Sequence, residues 1–354
     1  MLPFPLMVFI PVLAFGLSLA GAWVVRALTG KGAMVDVPGE RSSHSRPTAR
    51  GGGIGLALGA CGVLLTLGVR SWGGSGEGVS LFLLGLGGLI VAGSGFWDDV
   101  CRLAPGWKYL FQLLGCGLVL LGGMWLSGIA WPWGWEWALG WLAVPLTLFW
   151  ITGMTNLYNF MDGIDGIAAG TGLVYGLAVA WAAFSTAHPV EGGIALVLAA
   201  GCLGFLPFNF PRVRVFMGDV GSLLLGFLFA VLAVRLSQDP NNPVPFCFFV
   251  ILYSGFLFDT AYTLIWRTLR GDKWWLAHRS HLYQRLVIAG WSHLRVTLLY
   301  MALSAVSLAL AMLYLSSGGP LRCLWVVIQL SVCFGLVVLV KVTEARLRRV
   351  PCNP

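Results

Sequence analysis

The chain has 354 residues, of which 58% are hydrophobic and only 10% are charged, and its formal net charge is +8. Apolar stretches repeatedly exceed the roughly 20 residues that a helix needs to cross a bilayer, which excludes a soluble globular domain. We therefore predict a single all-α domain over residues 1–354, embedded in the lipid bilayer. The eight cysteines are scattered without a CxxC motif, a pattern typical of small buried apolar side chains rather than of a metal site.

Eleven apolar runs are candidate transmembrane helices. The first is followed by Arg26 and Lys31 and has no basic residue before it, a pattern that favours a retained helix over a cleaved signal peptide. The predicted spans are residues 2–25, 51–69, 79–97, 109–131, 137–154, 166–185, 192–208, 220–236, 244–266, 296–315 and 323–340.

The basic residues predict the orientation of these spans. With the N-terminus outside and the C-terminus in the cytoplasm, all but three of the 22 Lys and Arg residues lie on the cytoplasmic side. The exceptions are Arg70, Arg235 and Arg322. Topology and attraction to anionic lipid then explain the positive charge without a nucleic-acid partner. Residues 342–354 would form a short basic cytoplasmic tail.

A polar segment near the middle of the chain separates two apolar runs. Asn156, Asn159, Asp162 and Asp165 recur at every third residue, and on a helix each such step turns the side chain back by roughly 60°. The four side chains would therefore line a curved cup of oxygen atoms at the membrane boundary. The alternative is a solvated turn with helix caps, because Asn, Asp and Gly all favour turns.

Two further cytoplasmic segments carry candidates for phosphate chemistry. Arg46 and Arg50 precede three consecutive glycines, and basic side chains beside backbone N–H groups suit a bound phosphate, although positive loops are ordinary on this face. Asp98 and Asp99 would diverge by about 100° on a helix. We expect one carboxylate to engage a nucleophile or substrate and the other to be held by a cation, the alternative being an ordinary helix terminus.

Asp219 lies where an apolar run begins, and Asn209 lies in the loop before it. Asp219 could be a simple N-cap. The same position suits metal and phosphate binding, because the free N–H groups of Val220, Gly221 and Ser222 would attract an anion while the carboxylate holds a cation.

The last large cytoplasmic loop contains two histidines and two arginines, namely His278, Arg279, His281 and Arg285. A zinc site would need a further soft ligand, which the neighbouring sequence lacks, so a contact to pyrophosphate or uridine is favoured. Asp259 falls inside the ninth predicted span and should face a polar cavity.

The order of the polar motifs resembles that of a known family. GFWDD, NLYNFMDGIDG, VFMGDVGS and a basic, histidine-containing loop follow one another within residues 36–291. In this order they are similar to the polyprenyl-phosphate N-acetylhexosamine-1-phosphate transferases. The segment DVPGERSSHSRPTARGGG is similar in particular to the branch that initiates O-antigen synthesis.

The resemblance implies a reaction in the bacterial inner membrane. A sugar 1-phosphate would pass from a UDP-N-acetylhexosamine to undecaprenyl phosphate with release of UMP, in the presence of Mg²⁺, for which Mn²⁺ could substitute. It also allows a homodimer. The implied roles are metal binding by Asp219 and Asn159, contact with the nucleotide sugar by Asp162 and Asp165, engagement of the lipid phosphate by Asp98 and Asp99, and a catalytic imidazole at His281. For this reaction we expect substrate binding by Arg46, Arg50, Asn156, Asn209, His278, Arg279 and Arg285.

The chain departs from the family pattern in the last loop. Many relatives have HIHH there, whereas this chain has HLYQ beginning at His281. Only His281 carries over directly, and His278 is a candidate substitute for one of the missing imidazoles.

Direct displacement is the expected mechanism, because an ionised acceptor phosphate needs little base catalysis, whereas an aspartyl-phosphate route adds a covalent step. A transporter or flippase of an anionic lipid or nucleotide sugar is the alternative function, since it would also combine intramembrane acids with a basic face. Transporters commonly contain internal repeats, and neither the DD nor the NxxNxxDG string is repeated here.

Overall fold

The computed structural model describes residues 4–29, 34–36, 47–73, 76–239, 241–273 and 278–349. Arg46, a predicted substrate contact, lies outside these ranges. Helices dominate the described chain. In order they are α1 (Phe4–Thr29), α2 (Ile54–Arg70), α3 (Glu77–Cys101), α4 (Pro105–Leu121), α5 (Ala143–Phe160), α6 (Ile167–Ser185), α7 (Pro189–Asn209), α8 (Asp219–Ser237), α9 (Phe246–Leu252), α10 (Ser254–Leu269), α11 (Leu282–Ile288), α12 (His293–Ser316) and α13 (Pro320–Arg349).

Each predicted span overlaps a helix or a bent pair of helices. Among the described residues, seven helices are long and apolar enough to cross a membrane, and α9 with α10 adds an eighth crossing if this pair, bent by 75°, is one span. The helices α2, α4 and α5 have only 17, 17 and 18 residues. The protein is thus a multi-pass membrane protein, while the count of eleven spans and the orientation stay predictions.

Two short antiparallel strand pairs depart from the all-α prediction. The first strand of the second pair lies within the predicted span 109–131, whose helix already ends at Leu121, and the second strand overlaps the start of the predicted span 137–154. The span 109–131 was therefore predicted too long, because an aromatic-rich apolar run does not by itself distinguish a helix from a hairpin. The pairs are β1 (Val35–Asp36) with β2 (Thr48–Ala49), and β3 (Gly128–Ala130) with β4 (Glu136–Ala138).

The last predicted segment is also more regular than expected. Helix α13 continues to Arg349, so residues 342–349 are helical and form part of the last long apolar helix. The basic residues of the predicted tail, Arg346, Arg348 and Arg349, thus lie on this helix.

Helix α8 is the centre of the bundle. Nearly all of its side chains are buried, as expected for a helix that is apolar on every side, and it packs against α3 and α5. Two glycines allow its first turn to contact neighbouring backbone directly. A Cβ on Gly95 would lie 2.4 Å from the backbone carbonyl carbon of Asp219, and one on Gly53 would lie 2.5 Å from the Cα of Gly221. These contacts bring the polar ends of α2, α3 and α8 together.

Candidate active site

The first turn of α8 is capped by a carboxylate from another helix. Asp99, at the end of α3, accepts hydrogen bonds from the backbone N–H groups of Asp219 (3.0 Å) and Val220 (3.2 Å). Gly218 occupies the N-cap position with φ +75°, and a Cβ there would lie 2.3 Å from Asp99 Oδ2. The carboxylate that caps α8 is therefore Asp99, and only glycine at position 218 leaves room for it.

This capping corrects the prediction of free N–H groups at the start of α8. The Val220 N–H is bonded to Asp99, and the N–H groups of Gly221 and Ser222 donate to the Gly218 carbonyl oxygen. The prediction was wrong because the occupant of a helix N-terminus depends on which helix crosses it. A phosphate that used this N-terminus would have to displace the Asp99 carboxylate.

Three carboxylates and two cations form an alternating chain at this end of the bundle. Lys108 Nζ lies 3.0 Å from Asp98 Oδ2 and 2.6 Å from Asp219 Oδ2. On the other side of Asp219, Arg50 Nη2 lies 2.6 Å from Asp219 Oδ1, and its Nε lies 2.7 Å from Asp99 Oδ1. Three negative and two positive charges leave one net negative charge. The sequence motifs around Arg50, Asp98, Asp99 and Asp219 thus converge on one site.

The adjacent acids do diverge, but both are held by cations. The Asp98 side chain is 13% exposed and also accepts the Leu103 N–H at 2.7 Å, whereas the Asp99 side chain is fully buried. The expected division, with one carboxylate engaging a nucleophile or substrate and the other held by a cation, stays a prediction. The geometry still separates them, because only Asp98 combines a cation partner with access to solvent.

Arg50 is held firmly in its charged state. Burial would lower the pKa of its guanidinium, but the carboxylates of Asp219 and then Asp99 raise it above its ordinary value. Lys108 was missing from the predicted site, although it bridges two motifs. Its signal was its position in the first turn of a helix directly after the Asp98–Asp99 pair, which was interpreted only as topological charge.

The predicted cup of four polar side chains divides into two parts. Asn156 and Asn159 lie on the last turns of α5, whereas Asp162 and Asp165 lie in the turn before α6. Asn159 interacts with the Asp219 carboxylate and donates from Nδ2 to Ser222 Oγ at 2.9 Å. The group of Asn159 that meets the Asp219 carboxylate is thus its Nδ2 amide, which donates to it.

Asn156 is tied to a residue that the sequence analysis missed. Its Nδ2 donates to Gln112 Oε1 at 2.6 Å, and Gln112 Nε2 donates back to Asn156 Oδ1 at 3.2 Å. Gln112 lies one helical turn after Lys108 on α4. This reciprocal pair fixes α4 against α5 and thereby helps to position Lys108.

Asp165 and Asn209 hold loops rather than joining the charged chain. Asp165 Oδ2 accepts the Val213 N–H at 3.1 Å, and Oδ1 lies 2.7 Å from His293 Nδ1. Asn209 accepts the Gly166 N–H at 2.8 Å and donates to the Val215 carbonyl at 3.0 Å. These contacts occupy the groups that were predicted to meet a nucleotide sugar, so the structure gives both residues an architectural role.

Asp162 stays close to the charged chain, but no cation among the described residues forms an ion pair with it. Desolvation raises the pKa of its carboxyl well above the usual range, and the negative charges of Asp219 and Asp99 outweigh the attraction of Arg50. Asp162 is therefore an unfavourable charge in the folded protein that a cationic partner would relieve.

We expect Asp162→Asn to stabilise the protein against unfolding, and to do so more at pH 8 than at pH 5. A raised folded-state pKa gives stability that is present below the unfolded pKa and is lost as pH rises through the folded value. The neutral amide removes that loss. Thermal unfolding midpoints of both proteins in detergent at the two pH values test this. A midpoint difference that is constant or shrinks with pH would contradict the assignment.

A second polar cluster surrounds His281. Asp259 on α10 is fully buried and accepts the N–H groups of Leu282 (2.8 Å) and Tyr283 (3.1 Å) at the start of α11. It also lies 3.2 Å from His281 Nδ1 and accepts the Tyr300 hydroxyl. The prediction that Asp259 faces a polar cavity is wrong. Its carboxylate instead orients the His281 ring and the start of α11.

The other predicted residues of this loop have separate environments. Burial lowers the pKa of His278 to about 4, with His281 and Arg267 adding to the effect, so His278 is neutral at physiological pH. Arg285 is held by Glu344 of α13 through two contacts of 2.8 Å. Arg279 is half-buried in the same loop. A direct role of Arg285 toward a substrate would require it to leave Glu344.

The end of α5 links the two clusters. Tyr283 Oη donates to the Phe160 carbonyl at 3.0 Å, and the Phe160 and His281 rings lie 6.2 Å apart. Asn159, beside Asp219, directly precedes Phe160. The two clusters therefore lie at the same end of the bundle, next to each other, as the shared-face prediction requires.

The oxygen donors at this end suit a hard divalent cation. Among the described residues, no three His, Cys, Asp or Glu side chains are arranged to hold a metal ion by themselves. Mg²⁺, however, commonly uses one or two protein carboxylates and completes its shell with water and substrate phosphates. Asp219 is such a carboxylate, and the Asn159 side chain beside it would offer its amide oxygen only after a turn of the amide.

Comparison with known proteins identifies the family. The description Glycosyl transferase family 4 applies to residues 81–237, which include most of α3 and all of α5 and α8. The chain is 30% identical over 300 residues to a probable undecaprenyl-phosphate N-acetylglucosaminyl 1-phosphate transferase of Bacillus subtilis, covering 83% of this chain and 82% of that protein.

Two other relatives extend the comparison. A decaprenyl-phosphate N-acetylglucosaminephosphotransferase of Mycobacterium tuberculosis is 30% identical, with 78% and 74% of the two chains covered. A phospho-N-acetylmuramoyl-pentapeptide-transferase of a Synechococcus species is 33% identical, with 84% and 90% covered. The resemblance predicted from the motifs is thus confirmed, and the chain belongs to the polyprenyl-phosphate N-acetylhexosamine-1-phosphate transferase family.

Proposed function

We propose that the protein transfers an N-acetylhexosamine 1-phosphate from a UDP-sugar to undecaprenyl phosphate and releases UMP. The observation that carries this proposal is the alternating chain from Asp98 through Lys108, Asp219 and Arg50 to Asp99. Both reactants are anionic, so catalysis depends mainly on positioning them and on neutralising their charge. This chain of ion pairs contains two cations that can bind phosphate and carboxylates that can bind a metal ion.

Asp219 and Asn159 would hold Mg²⁺, which would neutralise charge on the diphosphate of the nucleotide sugar. Lys108 and Arg50, which both contact Asp219 in this structure, are the cations that would meet the phosphate oxygens. Because the Asp99 side chain is fully buried and caps α8, we assign the lipid phosphate to Asp98, with Lys108 beside it. His281, oriented by Asp259, lies near Phe160 at the end of α5, just before the turn that carries Asp162.

The proposed chemistry is one direct displacement. An oxygen of the lipid phosphate attacks the phosphorus that bears the sugar, and the bond from that phosphorus to the UMP oxygen breaks. The structure supports this route over an aspartyl-phosphate intermediate, because each carboxylate of the chain is engaged by a cation, which weakens it as a nucleophile.

We further propose that this step initiates O-antigen or a related cell-envelope polysaccharide at the cytoplasmic face of the inner membrane. The support is the similarity of residues 36–53 to the O-antigen branch and the undecaprenyl-phosphate acceptor named for the Bacillus subtilis relative.

Purified protein in detergent should form a lipid-linked sugar and UMP from undecaprenyl phosphate and UDP-N-acetylglucosamine. EDTA should abolish both products, and Mg²⁺ or Mn²⁺ should restore them. A parallel assay with UDP-N-acetylmuramoyl-pentapeptide tests the other substrate class represented among the relatives. Uptake of nucleotide sugar into proteoliposomes without UMP release would support the transporter alternative and reject the transferase.

A further inference from the structure

The connection between α4 and α5 carries an exposed cluster of tryptophans. We call residues 125–141 the tryptophan hairpin. Trp131 and Trp133 stack with their ring centroids 5.1 Å apart. Trp135 and Trp141 are 75% and 84% exposed, and a cleft of about 620 Å³ is lined by indoles and Glu136. So much exposed indole surface requires an apolar or amphipathic neighbour.

The position of this hairpin follows from two helices that begin at the active site. Helix α8 rises about 27 Å from Asp219 to Ser237, at 1.5 Å per residue. The next residue, Gln238, accepts the Trp125 N–H at 3.1 Å, so the base of the hairpin lies level with the far end of α8. Helix α4 rises only about 20 Å from Lys108 to Leu121. The hairpin therefore covers the last part of a hydrocarbon layer that is about 30 Å thick.

The chemistry of the hairpin selects one site within the bilayer. A two-stranded pair has open edges, whose unpaired N–H and C=O groups are not tolerated in pure hydrocarbon. Indole rings favour the boundary between headgroups and acyl chains, where the ring is apolar and the N–H can reach water or ester oxygens. Along α5 the exposed surface continues from Trp141 to Phe149, which is 76% exposed. This continuity places the hairpin on a lipid-facing side of the bundle.

We propose that the tryptophan hairpin docks into the headgroup–acyl boundary of the leaflet opposite the active site, with phospholipid as its partner. Anchored there, it fixes the depth of α4 and α5 in the membrane. These two helices carry Lys108 and Asn159 at their other ends, so the anchor holds these two side chains of the charged site at a constant depth.

A fluorescence experiment on the reconstituted full chain tests the proposal. Trp133, Trp135 and Trp141 are replaced together by Phe, which keeps an aromatic ring, and the emission lost from the wild type is assigned to these three indoles. Phosphatidylcholine brominated at acyl carbons 6 and 7 should quench this component at least twofold more than lipid brominated at carbons 11 and 12. Aqueous iodide should have little effect.

Trp150→Phe is the matched control, because the half-buried Trp150 indole donates to the Ala230 carbonyl at 3.1 Å and packs against Phe246 and Tyr253. Its emission should be insensitive to iodide and should not share the preference for shallow bromines. If the triple variant fails to reconstitute, the single variant Trp135→Phe is used, and the emission lost from the wild type is then that of Trp135 alone. Strong quenching of the hairpin component by iodide would overturn the proposal in favour of water. Insensitivity to both quenchers would overturn it in favour of burial by protein, such as a second copy.

Discussion

Asp219→Asn protein is expected to fold and to transfer sugar phosphate on the order of 10³-fold more slowly than the wild type, the effect of removing a charge-stabilising group in phosphoryl transfer. The amide keeps the shape of the carboxylate but loses the charge that would hold Mg²⁺. Folding should survive because Arg50 retains Asp99 and Lys108 retains Asp98. Turnover at saturating Mg²⁺ and the thermal unfolding midpoint are the measurements.

Asp239→Asn is the matched control, since Asp239 lies just beyond the other end of α8 and, among the described residues, accepts from the N–H groups of Asn241 and Asn242 and meets His188. It should retain full activity. If Asp219 acted only in the local structure of α8, Asp219→Asn would lower the unfolding midpoint but keep most of the turnover, and that result would reject the metal assignment.

Lys108→Met should lower turnover by about 10²- to 10³-fold, the loss typical of removing one preorganised electrostatic contact from an active site. Lys108 is the cation shared by Asp98 and Asp219, at 3.0 and 2.6 Å, so its removal leaves the acceptor side of the chain negatively charged. The lipid phosphate should then be repelled. Steady-state assays with varied undecaprenyl phosphate and varied UDP-sugar should show the larger rise of KM for the lipid.

Lys108→Arg keeps the charge and should recover part of the activity, although a planar guanidinium does not fit between two carboxylates as an ammonium does. Lys341→Met, on the exposed side of α13, is the control for losing a lysine elsewhere. If Lys108→Met mainly raised the KM for UDP-sugar, Lys108 would be assigned to the nucleotide-sugar donor. That result would contradict the assignment of Asp98 to the lipid acceptor.

The sequence predicted the positions of the helices, because apolar runs are local signals. It also placed Arg50, Asp98 and Asp219 together, because their polar motifs fall on the same predicted side of the membrane. It missed the capping of α8 by Asp99, which depends on how α3 crosses α8. Lys108 was missed for a similar reason, since a lysine near a membrane boundary has an ordinary explanation as topological charge. Its partners are 10 and 111 residues away.

Hydropathy did not predict two features of the fold. The tryptophan hairpin extends an apolar run, so its strand was included in a predicted helix. The bend after Tyr253 also lies inside an apolar run, and only the Ser254-Gly255 pair at the start of α10 indicates it. Asp259 was recognised as unusual, but its partners lie on α11 and α12, whose approach to α10 is a property of the tertiary structure.

The glycine contacts at the start of α8 have a consequence for the evolution of the chain. Gly95 and Gly53 set the spacing of α3 and α2 from α8 by backbone contact, with no room for a side chain between them. The separation of the charged groups is therefore independent of the residues that face lipid. Those outer surfaces can change freely to match a different membrane, while the distances on which catalysis depends stay the same. A chain that is 30% identical to its Bacillus subtilis relative can in this way differ at most positions and still keep the spacing of its charged groups.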